Sequence, residues 1–242
     1  LGRDVGLVNI YSYAAATKRL GVKMMTELGL LHDSGAVGFT DGGKAIAHPL
    51  VMRHLLSYAQ LFDTVIIQHP EMPEMVGSGV MNEGETATRL GLPGIPATAE
   101  VMMVERDLRL VELTGGRLHF SCLSTAAAVD AVRRAKAGGL RVTADTAPPY
   151  FALTESAVVG YRTFATLSPP LRNEEDRLAV IEGIADGTID AIVSAHIPGD
   201  RDQKRLPFTQ AEFGGVGLET LLSVSLELAH NGQVPLLTIL KA

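Results

Sequence analysis

Several residue types are scarce in this sequence, and each shortage excludes a class of protein. Tryptophan is absent, and aromatic residues make up only 5%. Cys122 is the single cysteine, which excludes a disulfide framework and a cysteine-only zinc site within one chain. The net charge of -6 argues against a nucleic-acid partner, because binding to a phosphate backbone needs an excess of basic residues.

Long apolar runs are missing as well. None approaches the roughly 18 residues of a membrane span, so the sequence predicts no transmembrane helix and no membrane partner. The opening Leu1-Gly2-Arg3-Asp4 resembles no secretion signal, and we therefore expect a cytoplasmic protein. Hydrophobic residues make up 46% and charged residues 20%, which is typical of a soluble globular protein.

Short β-rich runs alternate with segments of helical periodicity along the chain. Val65-Ile66-Ile67 and Ala191-Ile192-Val193 are continuously apolar, as buried parallel strands tend to be. The predicted strands are Leu7–Ala14, Ala36–Thr40, Thr64–Gln68, Arg117–Leu123, Leu140–Asp145 and Ile189–Ala195. This alternation predicts parallel strands joined by helical crossovers.

The segments between the predicted strands carry apolar residues at helical spacing. One predicted helix has the apolar face Val51, Leu55, Tyr58 and Phe62. Capping and breaking residues predict three further helices, from Pro96 to Gly115, from Ser124 to Lys136 and from Asn173 to Gly187.

Six predicted parallel strands are compatible with two folds. A closed (β/α)₈ barrel needs eight strands, whereas an open doubly wound sheet accepts six. The open sheet usually carries a glycine-rich nucleotide turn after its first strand, and Asp41-Gly42-Gly43 lacks that spacing. No linker divides the chain, so residues 1–242 are interpreted as one domain.

Residues that carry chemistry collect where the predicted strands end. In parallel α/β folds this edge of the sheet is the functional one. The ends read Thr40-Asp41-Gly42-Gly43, Gln68-His69-Pro70-Glu71, Ser121-Cys122-Leu123-Ser124-Thr125, Thr146-Ala147-Pro148-Pro149-Tyr150 and Ser194-Ala195-His196-Ile197-Pro198. Two histidines, an aspartate and a cysteine at such positions could form a metal or catalytic cluster.

The order of these ends and the residues around them resemble the dihydroorotase branch of the amidohydrolase superfamily. The likeness is carried by Gly35–Asp41, Met81–Glu85, Arg89–Pro96, Leu123–Thr125, Pro169–Arg172, Asp186–Asp190 and Gly217–Thr220. The resemblance implies an α/β fold of the (β/α)₈ TIM-barrel type, of which this chain holds strands three to eight. It also implies zinc as the cofactor and a link to pyrimidine biosynthesis.

The family holds its zinc pair with residues at five strand ends. The implied set is a His-x-His on strand one, a carboxylate or carboxylated lysine after strand four, a histidine after each of strands five and six, and an aspartate after strand eight. That aspartate also serves as the general base. No His-x-His occurs in this chain.

Only part of this set has a counterpart here. His69 matches the strand-five ligand, and Cys122 stands at the strand-six position, so both are implied as metal ligands. Gly42 and Ala195 stand where the two carboxylates would be, with Asp41 one residue early. The alternatives are a hydrogen-bonded His69 in the barrel mouth, a Cys122 that is a small buried apolar residue, and an Asp41 that is a solvated or capping turn residue.

Two residues are implied as substrate contacts. Ser168 replaces the asparagine of the family motif Asn-Pro-Pro-Leu-Arg, and the guanidinium of Arg172 suits a carboxylate. The alternative for Arg172 is a surface position at a helix start. His196 is expected to pack structurally and to point away from the mouth. The charged run Asp200–Arg205 is expected to be a mobile, solvated loop.

Two functions remain open from the sequence. The first is a dihydroorotase-like barrel that has lost its metal site and is non-catalytic; in the family, inactive copies scaffold aspartate transcarbamoylase. The second is an active metal-dependent dihydroorotase or a related cyclic-amide hydrolase. Because six strands leave two unpaired edges, we expect the natural protein to be longer at both ends, or a homo-oligomer to cover those edges.

Overall fold

The computed structural model describes residues 6–242. Its strands are β1 (Ser12–Ala15), β2 (Ala36–Thr40), β3 (Val65–Gln68), β4 (Met81–Asn82), β5 (Gly94–Ile95), β6 (Arg117–Phe120), β7 (Val142–Thr146) and β8 (Ala191–Ile192). Six of them form a central parallel sheet in the order β1-β2-β3-β6-β7-β8. The short strands β4 and β5 pair with each other in a separate sheet.

Helices connect the strands of the sheet. They are α1 (Leu28–Asp33), α2 (Pro49–Ala59), α3 (Pro73–Val76), α4 (Glu85–Leu90), α5 (Thr98–Thr114), α6 (Ala126–Ala137), α7 (Pro148–Ala152), α8 (Glu174–Ala185), α9 (Arg201–Lys204), α10 (Leu221–His230) and α11 (Leu236–Lys241). None of the helices in residues 6–242 is long and apolar enough to cross a lipid bilayer.

The two faces of the sheet differ in burial. Phe39, Ile66 and Leu118 follow one another across β2, β3 and β6, and all are buried in the main apolar core with the helices. A second row, made of Ile67 on β3, His119 on β6 and Thr143 on β7, begins one residue further along β3 and β6. These residues pair with one another across the strands, and Thr143 is exposed. Because side chains alternate along a strand, this second row lies on the opposite, inner face.

The architecture is six strands of a (β/α)₈ barrel, as the resemblance implies. The sheet is open, with β1 at one edge and β8 at the other. At the β8 edge, the amide of Ile192 donates a hydrogen bond to the carbonyl of Ala242 at 3.0 Å.

Strand boundaries follow the predictions with local differences. The strand Ala36–Thr40 is confirmed as predicted, whereas the strand predicted at Leu7–Ala14 covers only Ser12–Ala15. Leu7 and Val8 are exposed and lie outside β1, so their apolar character does not reflect strand pairing. The predicted strand Ile189–Ala195 shortens to Ala191–Ile192.

Helix caps were predicted with mixed success. The cap at Asn173 is confirmed, since its Oδ1 accepts a hydrogen bond from the amide of Asp176 at 2.9 Å. The cap predicted at Ser124 is wrong by one residue, because the side chain of Thr125 accepts the bond from the amide of Ala128. The Ser124 hydroxyl is occupied elsewhere, by Glu100 and Arg172.

Candidate functional site

Three polar side chains form a hydrogen-bonded group that we call the polar cluster. His69 and Glu71 are buried after β3, and Ser168 is partly buried in the segment between β7 and β8. Nε2 of His69 lies 2.8 Å from Oε2 of Glu71 and 3.0 Å from Oγ of Ser168. Ser168 also donates a hydrogen bond to Oε2 of Glu71. An ionised carboxylate can only accept, so the ring proton of His69 lies on Nε2.

This geometry excludes a nucleophilic triad. In such a triad the acid and the hydroxyl contact different ring nitrogens, so that the histidine can take the hydroxyl proton. Here Glu71 and Ser168 share Nε2 of His69, and the Ser168 proton already points to the carboxylate. Ser168 is therefore held as a hydrogen-bond partner and is not activated.

Glu71 is the member of the polar cluster that the sequence analysis did not single out. Burial raises its pKa, but hydrogen bonds from His69 and Ser168 and the charges of His69 and Arg172 outweigh burial, so the pKa lies below the ordinary value. Its Oε1 is buried and has no hydrogen-bond partner within residues 6–242. The only signal in the sequence was its position two residues after His69.

Asp41 forms its side-chain hydrogen bonds with Thr17 and not with the polar cluster. It is 1% exposed, its Oδ1 accepts a hydrogen bond from the amide of Thr17 at 2.8 Å, and its Oδ2 accepts one from the Thr17 hydroxyl. The carboxylate thus links β2 to the segment after β1. Of the alternative, a solvated or capping turn residue, the solvated part is wrong because the side chain is buried. Gly42 beside it has φ of +66° and brings no donor atom.

Cys122 follows β6 with φ of +56°, a left-handed conformation that is unusual for a residue with a side chain. Its amide donates to Oδ1 of Asp145 at 2.6 Å, while Oδ2 of Asp145 lies 2.8 Å from Nε2 of His119. Burial and the negative charge of Asp145 raise the pKa of the Cys122 thiol to about 12. The thiol is therefore protonated at neutral pH and is a weak nucleophile.

Apolar residues surround the remaining strand ends in a second group, the mouth cluster. Its buried members are Ala147, Tyr150 and Leu171, and its partly buried members include Cys122, Leu167, Val193 and Ala195. Cys122 and Ala195, the residues at the implied ligand positions of strands six and eight, thus pack in one apolar group. The hydroxyl of Tyr150 donates to the carbonyl of Pro169 at 2.9 Å, which joins this group to the segment that carries Ser168.

Arg172 is 3% exposed, so the alternative of a surface arginine is wrong. Its Nε donates to Oγ of Ser124 at 3.1 Å, and its Nη1 donates to Oδ1 of Asn82 at 2.9 Å and to the carbonyl of Ile95 at 3.0 Å. The guanidinium thereby ties the β4–β5 pair to the end of β6. Its assignment as a substrate contact stays a prediction.

Glu100, on α5, completes this arrangement and was missed in the sequence. It is fully buried, and its Oε1 accepts hydrogen bonds from the amides of Ser124 and Thr125, both at 3.0 Å. Burial raises the pKa of Glu100 despite the nearby Arg172 charge and these hydrogen bonds. Helical periodicity gave no signal for it, because a buried glutamate on an apolar face looks like an interruption of that face.

Two predictions concern the segment that follows β8, one for His196 and one for the run Asp200–Arg205. Nδ1 of His196 accepts hydrogen bonds from the amides of Gly217 at 3.2 Å and Leu218 at 3.3 Å, which is a structural role, although the residue is exposed. Its orientation away from the mouth stays a prediction. The run Asp200–Arg205, expected to be a mobile, solvated loop, is exposed except for the buried Lys204, but it is not an irregular loop, because Arg201–Lys204 form the short helix α9 with a capping box at Asp200.

The implied zinc pair does not fit the residues present. Within residues 6–242, no group of three or more histidine, cysteine, aspartate or glutamate side chains is arranged to hold a metal ion. Of the implied ligands, Gly42 and Ala195 offer no donor atom, and the proton on Nε2 of His69 leaves only Nδ1 with a free lone pair. His69 and Cys122 as metal ligands stay predictions.

The comparisons with known proteins decide the family. A family model described as Dihydro-orotase-like matches residues 2–128. The chain belongs to the dihydroorotase-like family. Among curated proteins, this dihydroorotase-like chain is 47% identical over 233 residues to a dihydroorotase of Syntrophotalea carbinolica, covering 96% of the chain and 55% of the relative. It is 44% identical over 234 residues to a dihydroorotase of Syntrophus aciditrophicus, covering 97% and 55% respectively.

Solved structures confirm the barrel-type fold of the dihydroorotase-like chain. The L-hydantoinase (dihydropyrimidinase) of Arthrobacter aurescens superposes with a TM-score of 0.80 at 22% identity, over 97% of this chain and 54% of that structure. The dihydropyrimidinase of Brevibacillus agri gives a TM-score of 0.73 at 19% identity, over 88% and 50%. The chain spans about half the length of the curated relatives it matches.

Proposed function

We propose that this chain forms the barrel part of a dihydroorotase-like protein linked to pyrimidine biosynthesis whose metal site is degraded, so that it does not hydrolyse dihydroorotate. The observation that carries the proposal is the mouth cluster, in which Cys122 and Ala195 pack against Ala147, Tyr150 and Leu171. Apolar contacts occupy the positions where the resemblance implies a histidine and an aspartate.

The chemical consequence concerns the attacking water. A catalytic zinc ion lowers the pKa of its bound water from about 15.7 to about 7, and it normally needs three protein ligands to do so. A protonated Cys122 thiol and a His69 ring held by Glu71 do not supply such a set. Ala195 also removes the general base that the family places after strand eight.

The second candidate is an active metal-dependent dihydroorotase or related cyclic-amide hydrolase. It is favoured by the retained His69 and by the 47% identity to a protein named dihydroorotase. Metal bound to Nδ1 of His69, with further ligands from outside this chain, would be required.

Aspartate transcarbamoylase and a second copy of the chain are the predicted partners. Light scattering of the protein alone, and of the protein mixed with aspartate transcarbamoylase, tests both.

Metal analysis and an activity assay on the purified full-length protein separate the two candidates. We expect below about 0.1 zinc per chain after incubation with zinc, and no hydrolysis of dihydroorotate above the buffer rate. Stoichiometric zinc together with zinc-dependent hydrolysis would establish the second candidate and end the proposal.

A restoration variant provides the matched positive test. Gly42→Asp, Cys122→His and Ala195→Asp together replace the missing donors, and a side chain at Gly42 meets no atom within 4 Å. Aspartate also tolerates the left-handed conformation of this position better than most residues. We expect the triple variant to bind more zinc than the wild type, whereas the control Gly43→Asp, at the adjacent open position, should not.

A further inference from the structure

A cavity of about 290 Å³ lies between the segment that follows β1 and helix α2. Residues 23–27 line it from the segment, and Val51 and His54 line it from α2. None of these residues belongs to the polar cluster or the mouth cluster. The volume lies at the lower end of the range found for small-molecule sites, so the cavity has room for a small ligand.

Hydrogen bonds fix the segment that forms one wall of this cavity. The amide of Lys18 donates to the carbonyl of Met24 at 2.8 Å, and the hydroxyl of Thr17 accepts from the amide of Val22 at 2.8 Å. Val22 has φ of +50°, a conformation that is unfavourable for a β-branched residue and that persists only where the surrounding contacts impose it. The wall is therefore formed before a ligand binds.

The lining carries two basic side chains that are available to a ligand. Lys23 and His54 are both exposed and line the cavity from opposite walls. Among the ion pairs and side-chain hydrogen bonds within residues 6–242, none involves either of them. Glu27, the carboxylate in the lining, is already paired with Lys18 at 3.0 Å. An ammonium with three free donors beside an imidazole ring attracts an anion.

Apolar side chains form the rest of the lining. Met25 and Val51 pack against the main core, and Met24 is 60% exposed although it is apolar. Methionine side chains adapt to the shape of a bound partner, and apolar surface gains free energy when it is covered. A basic group beside such a surface matches an organic anion with an apolar body better than an inorganic anion.

We propose that this cavity binds a small organic monocarboxylate, whose carboxylate contacts Lys23 and His54 and whose apolar body covers Met24 and Val51. The inference is independent of whether the chain hydrolyses dihydroorotate, because the cavity shares no residue with the polar cluster or the mouth cluster.

Calorimetric titration of the full-length protein with benzoate tests the proposal. We expect saturable binding of benzoate, and binding at least about tenfold weaker for benzamide, which lacks the charge, and for inorganic phosphate, which lacks the apolar body. Lys23→Met keeps a long side chain and removes the ammonium, so it should weaken benzoate binding about tenfold. The control Arg53→Met removes the same charge from an exposed residue that does not line the cavity and should bind benzoate as the wild type does.

Methionine methyl resonances locate the site in the wild type, without reliance on the folding of Lys23→Met. Benzoate should shift the methyl signals of Met24 and Met25, assigned by their replacement with leucine, and leave the signal of Met102, an exposed residue of α5, unchanged. The proposal is wrong if benzoate does not saturate, if benzamide or phosphate binds as tightly, or if Lys23→Met and Arg53→Met weaken binding equally. A shift at Met102 without one at Met24 overturns the assignment to this cavity.

Discussion

Nε2 of His69 lies 2.8 Å from Oε2 of Glu71, and both side chains are buried after β3. The contact joins two residues that are neighbours in sequence, and Ser168 completes it from 99 positions further along the chain. The protonated ring nitrogen faces a carboxylate, which stabilises the ionised form of Glu71 in a buried setting. The polar cluster therefore contributes to stability in a way that depends on pH.

Replacement of Glu71 tests this dependence. The pKa of Glu71 is lowered in the folded state, so its stabilising contribution is present above the pKa of the unfolded chain and is lost as the pH falls through the folded value. We expect Glu71→Gln to lower the free energy of unfolding by about 1–3 kcal/mol at neutral pH, and by progressively less in acid. Urea unfolding across the pH range measures the difference.

The exposed Glu74 provides the control for this series. Glu74→Gln changes the same functional group three residues away, and its effect should be small at every pH. A constant gap between wild type and Glu71→Gln from neutral to acidic pH would contradict the electrostatic role of Glu71.

Asp107 on α5 should show the opposite pH dependence. Burial raises its pKa from 3.8 to about 6, in spite of the Arg106 charge and the hydrogen bond from Gln68. A raised carboxyl pKa means that the folded state binds the proton more tightly, so Asp107 makes the protein lose stability as the pH rises from about 4 to about 6. The shift corresponds to about 2–3 kcal/mol.

The variant Asp107→Asn isolates this contribution. We expect the free energy of unfolding of Asp107→Asn to fall less than that of the wild type as the pH rises from acidic to neutral. Chemical denaturation of both proteins across this pH range measures the difference. Asp33→Asn, at an exposed position, is the control and should follow the wild type. A stability difference between Asp107→Asn and wild type that does not change with pH would show that the pKa of Asp107 is the same in the folded and the unfolded state, and would contradict the prediction.

Gly217 holds the segment after β8 in place through a close backbone approach. A Cβ at this position would lie 2.0 Å from the carbonyl oxygen of Ser194, whereas a Cβ at Gly215 would lie 3.7 Å from its nearest neighbour, Leu167. We expect Gly217→Ala to lower the free energy of unfolding by about 1–3 kcal/mol and Gly215→Ala to have little effect. Thermal unfolding of the two variants side by side checks the prediction, and equal melting temperatures would refute it.

The sequence by itself determined the elements whose signals are local. The strand Ala36–Thr40 and the helix cap at Asn173 were predicted correctly because strand-favouring residues, here Val37, Phe39 and Thr40, and capping residues act within a few positions. The family and barrel type were also predicted, from residues 35–41, 169–172 and other short motifs that keep their order along the chain.

Only the tertiary structure decided what surrounds the candidate site. Three hydrogen bonds join residues that lie 41 to 99 positions apart: Ser168 with His69, Arg172 with Asn82, and Lys204 with the carbonyl of Thr163. Periodicity and spacing describe neighbours along the chain, whereas these bonds depend on which loops meet at one edge of the sheet. A buried charge is stabilised only by partners that reach it in three dimensions, so its role is fixed by the fold and not by its place in the sequence.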